Sequence, residues 1–166
     1  MPGQPKKKNM IIMGIDPGST RIGYGLIKKN KGLELVSYGT IDIKRGKSEK
    51  IISEAASAIA DIIKKYRPSL IGIEKIYFSK NVKTGIEVSQ TRGALILEIS
   101  RREIPIKELS PSEIKLAVTG YGLADKKSVA KMAAKILRIE ALAGFDDASD
   151  ALAVAITASQ KQEWGA

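Results

Sequence analysis

The 166-residue chain predicts a mixed α/β domain, a central five-stranded sheet with helices on both faces. Three observations lead there. Three strand-like segments follow one another at the start, separated only by turns. From Ser48 onward the apolar period changes from two to 3.6, and helical and strand-like segments alternate. No repeat or interdomain linker interrupts them. Antiparallel strands followed by alternating helix and strand give a mixed sheet covered on two sides.

The elements follow in order. The apolar run Ile11-Ile12-Met13-Gly14-Ile15 ends at Asp16-Pro17-Gly18, a turn signal, and predicts a buried strand over 11–16. Segments 21–29 and 33–43 are rich in β-branched and aromatic residues, and Asn30-Lys31-Gly32 between them marks a hairpin. Ile51, Ile52, Ala55, Ile59, Ile62 and Ile63 follow helical spacing over 48–66, and Pro68 stops that helix. A strand over 70–77 and a long helix over 82–102 come next, then a short strand over 105–109. Ser110 and Pro111 are an N-cap and a first-turn proline for a short helix. The Thr119-Gly120-Tyr121-Gly122 loop leads to a helix over about 126–138, and a last helix runs from about Asp146 to Gln160.

Composition narrows the chemistry. The chain holds no cysteine and no histidine, which excludes a thiolate nucleophile, a Ser-His-Asp triad and histidine-ligated zinc. Zero cysteine suits a reducing cytosol, and no stretch approaches the ~20 apolar residues of a membrane span, so a cytoplasmic location is expected. The net charge of +10 is uneven. Residues 1–83 hold 17 Lys and Arg against 7 acids, whereas residues 84–166 hold 11 of each. A basic field on one part of a fold is the footprint of a polyanion partner, nucleic acid above all. Residues 1–9, with Lys6-Lys7-Lys8, are expected to form a flexible basic arm, 10–160 a single domain and 161–166 a short tail.

Four carboxylates sit where carboxylates are costly. Asp16 and Glu74 end apolar strands expected to be neighbours, and Asp147 and Asp150 share one face of the last helix. Each alone has a plainer role: an Asx-turn for Asp16, an ion pair with a lysine for Glu74, a helix cap for Asp146 or Asp147. Together they form a self-repelling cluster that calls for cations, and with no soft ligand those are Mg²⁺ or Mn²⁺. Two ions ~4 Å apart would clamp the attacking and leaving oxygens of a phosphodiester.

At these residues the chain resembles the RuvC family of bacterial Holliday junction resolvases. The likeness runs through 12–19 with Tyr24-Gly25, through 73–78 with Lys80-Asn81, through Gln90-Thr91-Arg92-Gly93, through 114–122 with Lys126, and closes on 147–153. It covers 11 to about 158 in one register. The resemblance implies a ribonuclease H-like fold, a homodimer, and Mg²⁺-dependent paired symmetric nicking of four-way DNA junctions in recombination and repair. It implies two ions per site, with Mn²⁺ as a substitute, and the RuvA and RuvB branch-migration proteins as partners. Metal-binding acids fall on Asp16, Glu74, Asp147 and Asp150; the position of Asp147 is Asp or His in the family. Functional lysines fall on Lys115 and Lys126. The junction-stacking aromatic falls on Tyr77, a tyrosine where phenylalanine is common, and Phe78, Lys80, Asn81 and Arg92 are further expected DNA contacts. Gly14-Ile15-Asp16-Pro17-Gly18-Ser19-Thr20 also looks like the first phosphate motif of actin-like ATPases and sugar kinases, but those need two such domains. A non-catalytic DNA-binding module of the same fold would be expected to have lost some of the four acids.

Overall fold

The computed structural model describes residues 9–77, 81–142 and 147–160. The first eight residues, Phe78 and Lys80, Asp146, and the tail from 161 lie outside the described residues. Ten elements follow in the order β1 (Met10–Asp16), β2 (Arg21–Lys29), β3 (Leu33–Asp42), α1 (Ser48–Tyr66), β4 (Leu70–Glu74), α2 (Val82–Ser100), β5 (Ile106–Leu109), α3 (Pro111–Thr119), α4 (Lys126–Ile136) and α5 (Asp147–Gln160).

One sheet holds all five strands in the order β3-β2-β1-β4-β5. β1 pairs antiparallel with β2 and parallel with β4, as a mixed sheet requires. Side chains alternate faces along each strand, so the sheet feeds two cores. Met13, Ile15, Ile71 and Ile73 pack with α1 and α2 on one side; Ile12, Leu70 and Leu109 pack with α3, α4 and α5 on the other. Among the described residues no helix is long and apolar enough to cross a membrane.

The site depends on how closely α5 approaches the sheet. Gly14 of β1 lies opposite Gly25 of β2 and Gly72 of β4, so three neighbouring strands present a row without side chains. A Cβ at Gly14 would stand 2.0 Å from the Ala151 carbonyl oxygen. α5 lies in this trench with every residue from 151 to 159 buried. Its carbonyl end is met by lysines: Lys29 Nζ donates to the Ser159 carbonyl at 2.6 Å and Lys107 Nζ to that of Ala158 at 3.3 Å. Cations at the C-terminal end and acids in the first turn both complement the helix dipole.

Three boundaries differ from expectation by two residues or more. β4 stops at Glu74, not 77, because the partner strand stops: the Lys75 amide bonds the Leu109 carbonyl at 2.8 Å, after which Ser110 caps α3. α2 ends at Ser100, ahead of a turn in which Glu103 takes φ 56. α4 ends at Ile136, ahead of Arg138 at φ 56.

Gly14→Ala should therefore destabilise the fold by about 3 kcal/mol or more, since backbone on α5 blocks the added methyl. Gly32→Ala, with nothing within 4 Å of its Cβ, should stay within about 0.5 kcal/mol. Chemical denaturation of both variants checks the contrast.

Candidate metal centre

Two strands and one helix supply the acids. β1 and β4 run parallel with Ile15 beside Ile73, so the following residues, Asp16 and Glu74, leave the sheet side by side. α5 enters over the same edge: Gly23 pairs with Asp16 across β1 and β2, and a Cβ on Gly23 would stand 1.8 Å from the Asp147 carbonyl oxygen. The missing side chain is what lets Asp147 reach the strand ends. Carboxylate oxygens of Asp16, Asp147 and Asp150 lie within 4.8 Å of one another. Glu74 falls outside that tight trio but shares a side-chain hydrogen bond with Asp16 and lines the same cavity.

The cavity, about 310 Å³, is walled by Asp16, Glu74 and Asp150 on one side and by Lys115 of α3 and Lys126 of α4 on another. Both helices are anchored by N-caps. Ser110 and Glu113 form a reciprocal capping box on α3, and Asp125 accepts the Ser128 amide at 2.7 Å to start α4. Lys126 is thereby the first residue of its helix, with Nζ 2.8 Å from Asp150.

The electrostatics are those of a site built for positive charge. Burial, the hydrogen bond to Glu74 and the surrounding acids push Asp16 from 3.8 to about 9. Burial also raises Glu74, with Asp150 adding to the effect and the bond to Asp16, Lys126 and Lys115 opposing it. Lys126 is raised, chiefly by its hydrogen bond to Asp150. Two side-chain cations thus stand against the acids, Lys126 on Asp150 and Arg21, whose Nε lies 3.9 Å from Asp147. The donor set is oxygen alone, which fits hard divalent ions such as Mg²⁺ and Mn²⁺.

The remaining expected site residues separate into two groups. Tyr77 stands clear of the core, 63% exposed, and lines a shallow hollow with Pro17, Glu74 and Asn81. Asn81 and Arg92 carry scaffold bonds. Asn81 caps α2, its Oδ1 accepting the Thr84 amide at 3.2 Å. The Arg92 side chain is only 16% exposed; its Nε donates to the Glu74 carbonyl at 3.1 Å and its Nη2 to the Glu108 carboxylate. Arg92 thus ties α2 to the strand end that carries an acid of the site. The expected contacts Phe78 and Lys80 lie outside the described residues.

Arg21 is a site residue that sequence reasoning missed. The signal lay in the hairpin register: Gly23 opposes Asp16, so Arg21, two residues away on β2, projects from the same face.

Comparison with known proteins gives the family. The family model for "Crossover junction endodeoxyribonuclease RuvC" matches residues 12–158. A protein of that name from Petrotoga mobilis is 41% identical over 148 residues, 88% of this chain and 91% of its own. Another from Brevibacillus brevis is 38% identical over 153 residues, 91% of this chain and 92% of its own. Among solved structures, Thermus thermophilus RuvC superposes with a TM-score of 0.80 at 24% identity, covering 89% of this chain and 92% of that one. That likeness shows a shared fold, here the ribonuclease H-like α/β fold with its mixed five-stranded sheet. The chain belongs to the RuvC family of crossover junction endodeoxyribonucleases.

Proposed function

We propose that this chain is a Holliday junction resolvase, a divalent-metal-dependent endonuclease that nicks two opposed strands of a four-way DNA junction in recombination and repair. The observation that carries the reading is the approach of Asp16, Asp147 and Asp150 within 4.8 Å beneath two lysines, in a chain whose relatives are named crossover junction endodeoxyribonucleases. In this reading the nuclease domain spans 10–160 and works in the cytoplasm, with RuvA and RuvB as partners.

Asp16, Glu74, Asp147 and Asp150 would hold Mg²⁺, two ions per site, with Mn²⁺ as a substitute. Such ions, when bound, lower the pKa of the attacking water and neutralise charge on the departing 3′ oxygen. The chain's own groups do the rest. The carboxylates orient the site, and no histidine base is required because the chain has none. Lys126 and Lys115 offer positive charge along the cavity wall where phosphate oxygens must lie. Water adds to phosphorus as the P–O3′ bond breaks, leaving a 5′ phosphate and a 3′ hydroxyl. Tyr77 offers its exposed ring to an unstacked base beside the site.

Symmetric nicking of a four-armed substrate needs two sites related by a two-fold axis. Support for a homodimer comes from α2. Val88, Leu95 and Ile99 face its own core, while Val82, Ile86 and Leu97 lie exposed at helical spacing on another face.

Asp16→Asn and Glu74→Gln should each abolish nicking of a synthetic junction in Mg²⁺ while binding stays intact or tightens, since charge facing phosphate falls. Near wild-type cleavage by both would overturn the metal assignment.

The raised Asp16 gives a pH test. Its contribution to stability is fully present below its ordinary 3.8 and is lost as pH rises through about 9. The metal-free protein should therefore melt lower as pH climbs through that window. A divalent ion takes the proton's place, so its apparent affinity should rise by up to about tenfold per pH unit and level off above pH 9. Calorimetric titration with Mn²⁺ between neutral and alkaline pH measures this, and a flat profile would contradict it.

Tyr77→Ala should lower junction cleavage far more than melting temperature, because stacking on a base is worth ~1–3 kcal/mol while an exposed ring adds little to the core. Tyr77→Phe should be nearly silent, since the ring and not the hydroxyl stacks. Paired melting and nicking assays on both variants separate this from a core role.

A further inference from the structure

A groove of about 460 Å³ lies away from the metal centre, between the β1–β2 turn, the segment joining β3 to α1, and the first turns of α2. Three cations line it: Lys44 and Arg45 from the β3–α1 segment and Lys83 from α2. None makes an ion pair with a carboxylate among the described residues. One acid, Glu87, also lines the groove, so its side chains leave an excess of two positive charges. Hydroxyl groups of Ser19, Thr20 and Thr84 add neutral donors. Bare cations converging with hydroxyls on one concavity form a phosphate-binding surface, since like charges are held together without an internal counter-ion.

Its position identifies what kind of phosphate. Glu74 belongs both to the metal cavity and to the hollow beside Tyr77. Thr84 belongs both to that hollow and to the basic groove. Each hollow thus shares a lining residue with the next, in the order acids, exposed tyrosine, then Lys44, Arg45 and Lys83. The β1–β2 turn edges two of the three, with Pro17 on the hollow and Ser19 and Thr20 on the groove. Charge changes sign along the way: carboxylates at one end, unpaired cations at the other.

We propose that this groove is a second binding site, taking the sugar-phosphate backbone of the nicked strand several nucleotides from the scissile bond. The inference rests on the nuclease reading of the metal centre. With its phosphate chain anchored at Lys44, Arg45 and Lys83, a strand is stretched across the hollow, its intervening base set against Tyr77 and its scissile phosphate over the acids. The groove contributes affinity and register, not chemistry. Its occupant is a nucleic-acid backbone rather than a free nucleotide, because the cations are spread over two chain segments and open to solvent instead of closing on one phosphate.

The test uses the full chain and the triple variant Lys44→Ala/Arg45→Ala/Lys83→Ala. Binding to a synthetic four-way junction is measured in Ca²⁺, nicking in Mg²⁺, and melting temperature alongside. Loss of two to three phosphate contacts should weaken binding about 10- to 100-fold at moderate salt and flatten the log–log salt dependence by about 2 to 3 units. Melting temperature and the rate at saturating protein should stay near wild type. A Lys44→Arg/Lys83→Arg variant should keep wild-type affinity, because charge is what the groove supplies.

Neutral methylphosphonates, placed one at a time along the nicked strand, should weaken wild-type binding at the phosphates that reach the groove. The same substitutions should add nothing to the triple variant. Wild-type affinity and salt slope in the triple variant would overturn the proposal. So would a lost saturated rate with unchanged binding, or a methylphosphonate effect of equal size in both proteins. Failure of the underlying nuclease reading looks different: the wild-type protein would not nick the junction, or Asp16→Asn would nick it normally.

Discussion

Everything at the site follows from how deeply α5 sinks into the sheet. A helix packed on ordinary strands rides on their side chains, which would leave its first turn clear of the strand ends. Here Gly25, Gly14 and Gly72 lie across three adjacent strands, and backbone meets backbone. That contact brings Asp147 and Asp150 down to Asp16 and lets Gly23 sit directly beneath Asp147. α5 itself is built to match, with Ala151 and Ala155 set against Gly14 and Ala158 against Gly72. Glycine is poor at specifying a strand on its own, so the row makes sense only as half of a contact.

Close packing forces carboxylates into a space they would not share unaided, and the metal-free molecule answers in two ways. A proton stays between Asp16 and Glu74, and the cations of Lys126 and Arg21 lean on Asp150 and Asp147. Proton and ammonium are weak substitutes for a divalent ion, and both can leave without rearranging the backbone. The scaffold is therefore organised before metal arrives. Preorganisation of this kind is what electrostatic catalysis needs, because the field is set by folding and not rebuilt at each turnover.

Much of this was legible in the chain. Strand and helix identities followed from apolar period and turn chemistry, the capped start of α3 from Ser110-Pro111, and the start of α4 near Lys126 from the Thr119-Gly120-Tyr121-Gly122 loop, whereas its Asp125 cap shows only in the structure. The four acids were visible because each breaks an apolar pattern. What stayed hidden depends on contacts distant in sequence. β4 ends where β5 runs out, and β5 begins more than thirty residues later. Arg21 is only the first residue of a strand in the sequence, and pairing places it on the Asp16 face. Asn81 and Arg92 stood in stretches that matched the family, but their bonds to Thr84, Glu74 and Glu108 show only in three dimensions. The basic groove draws its cations from 44–45 and 83, a convergence that no local pattern announces.

The bond from Arg92 to the Glu74 carbonyl has one more consequence. Its guanidinium rides on a helix whose far side, at Val82, Ile86 and Leu97, is open to whatever seats there. A tilt of α2 would be felt at the backbone of Glu74, an acid lining the metal cavity, through this one hydrogen bond. Linkage is reciprocal, so if binding on that side altered affinity for an ion, the ion would alter binding there by the same factor. With a second copy seated on that side, as the dimer reading has it, one hydrogen bond would join the seam of the assembly to the strand end beside its blade.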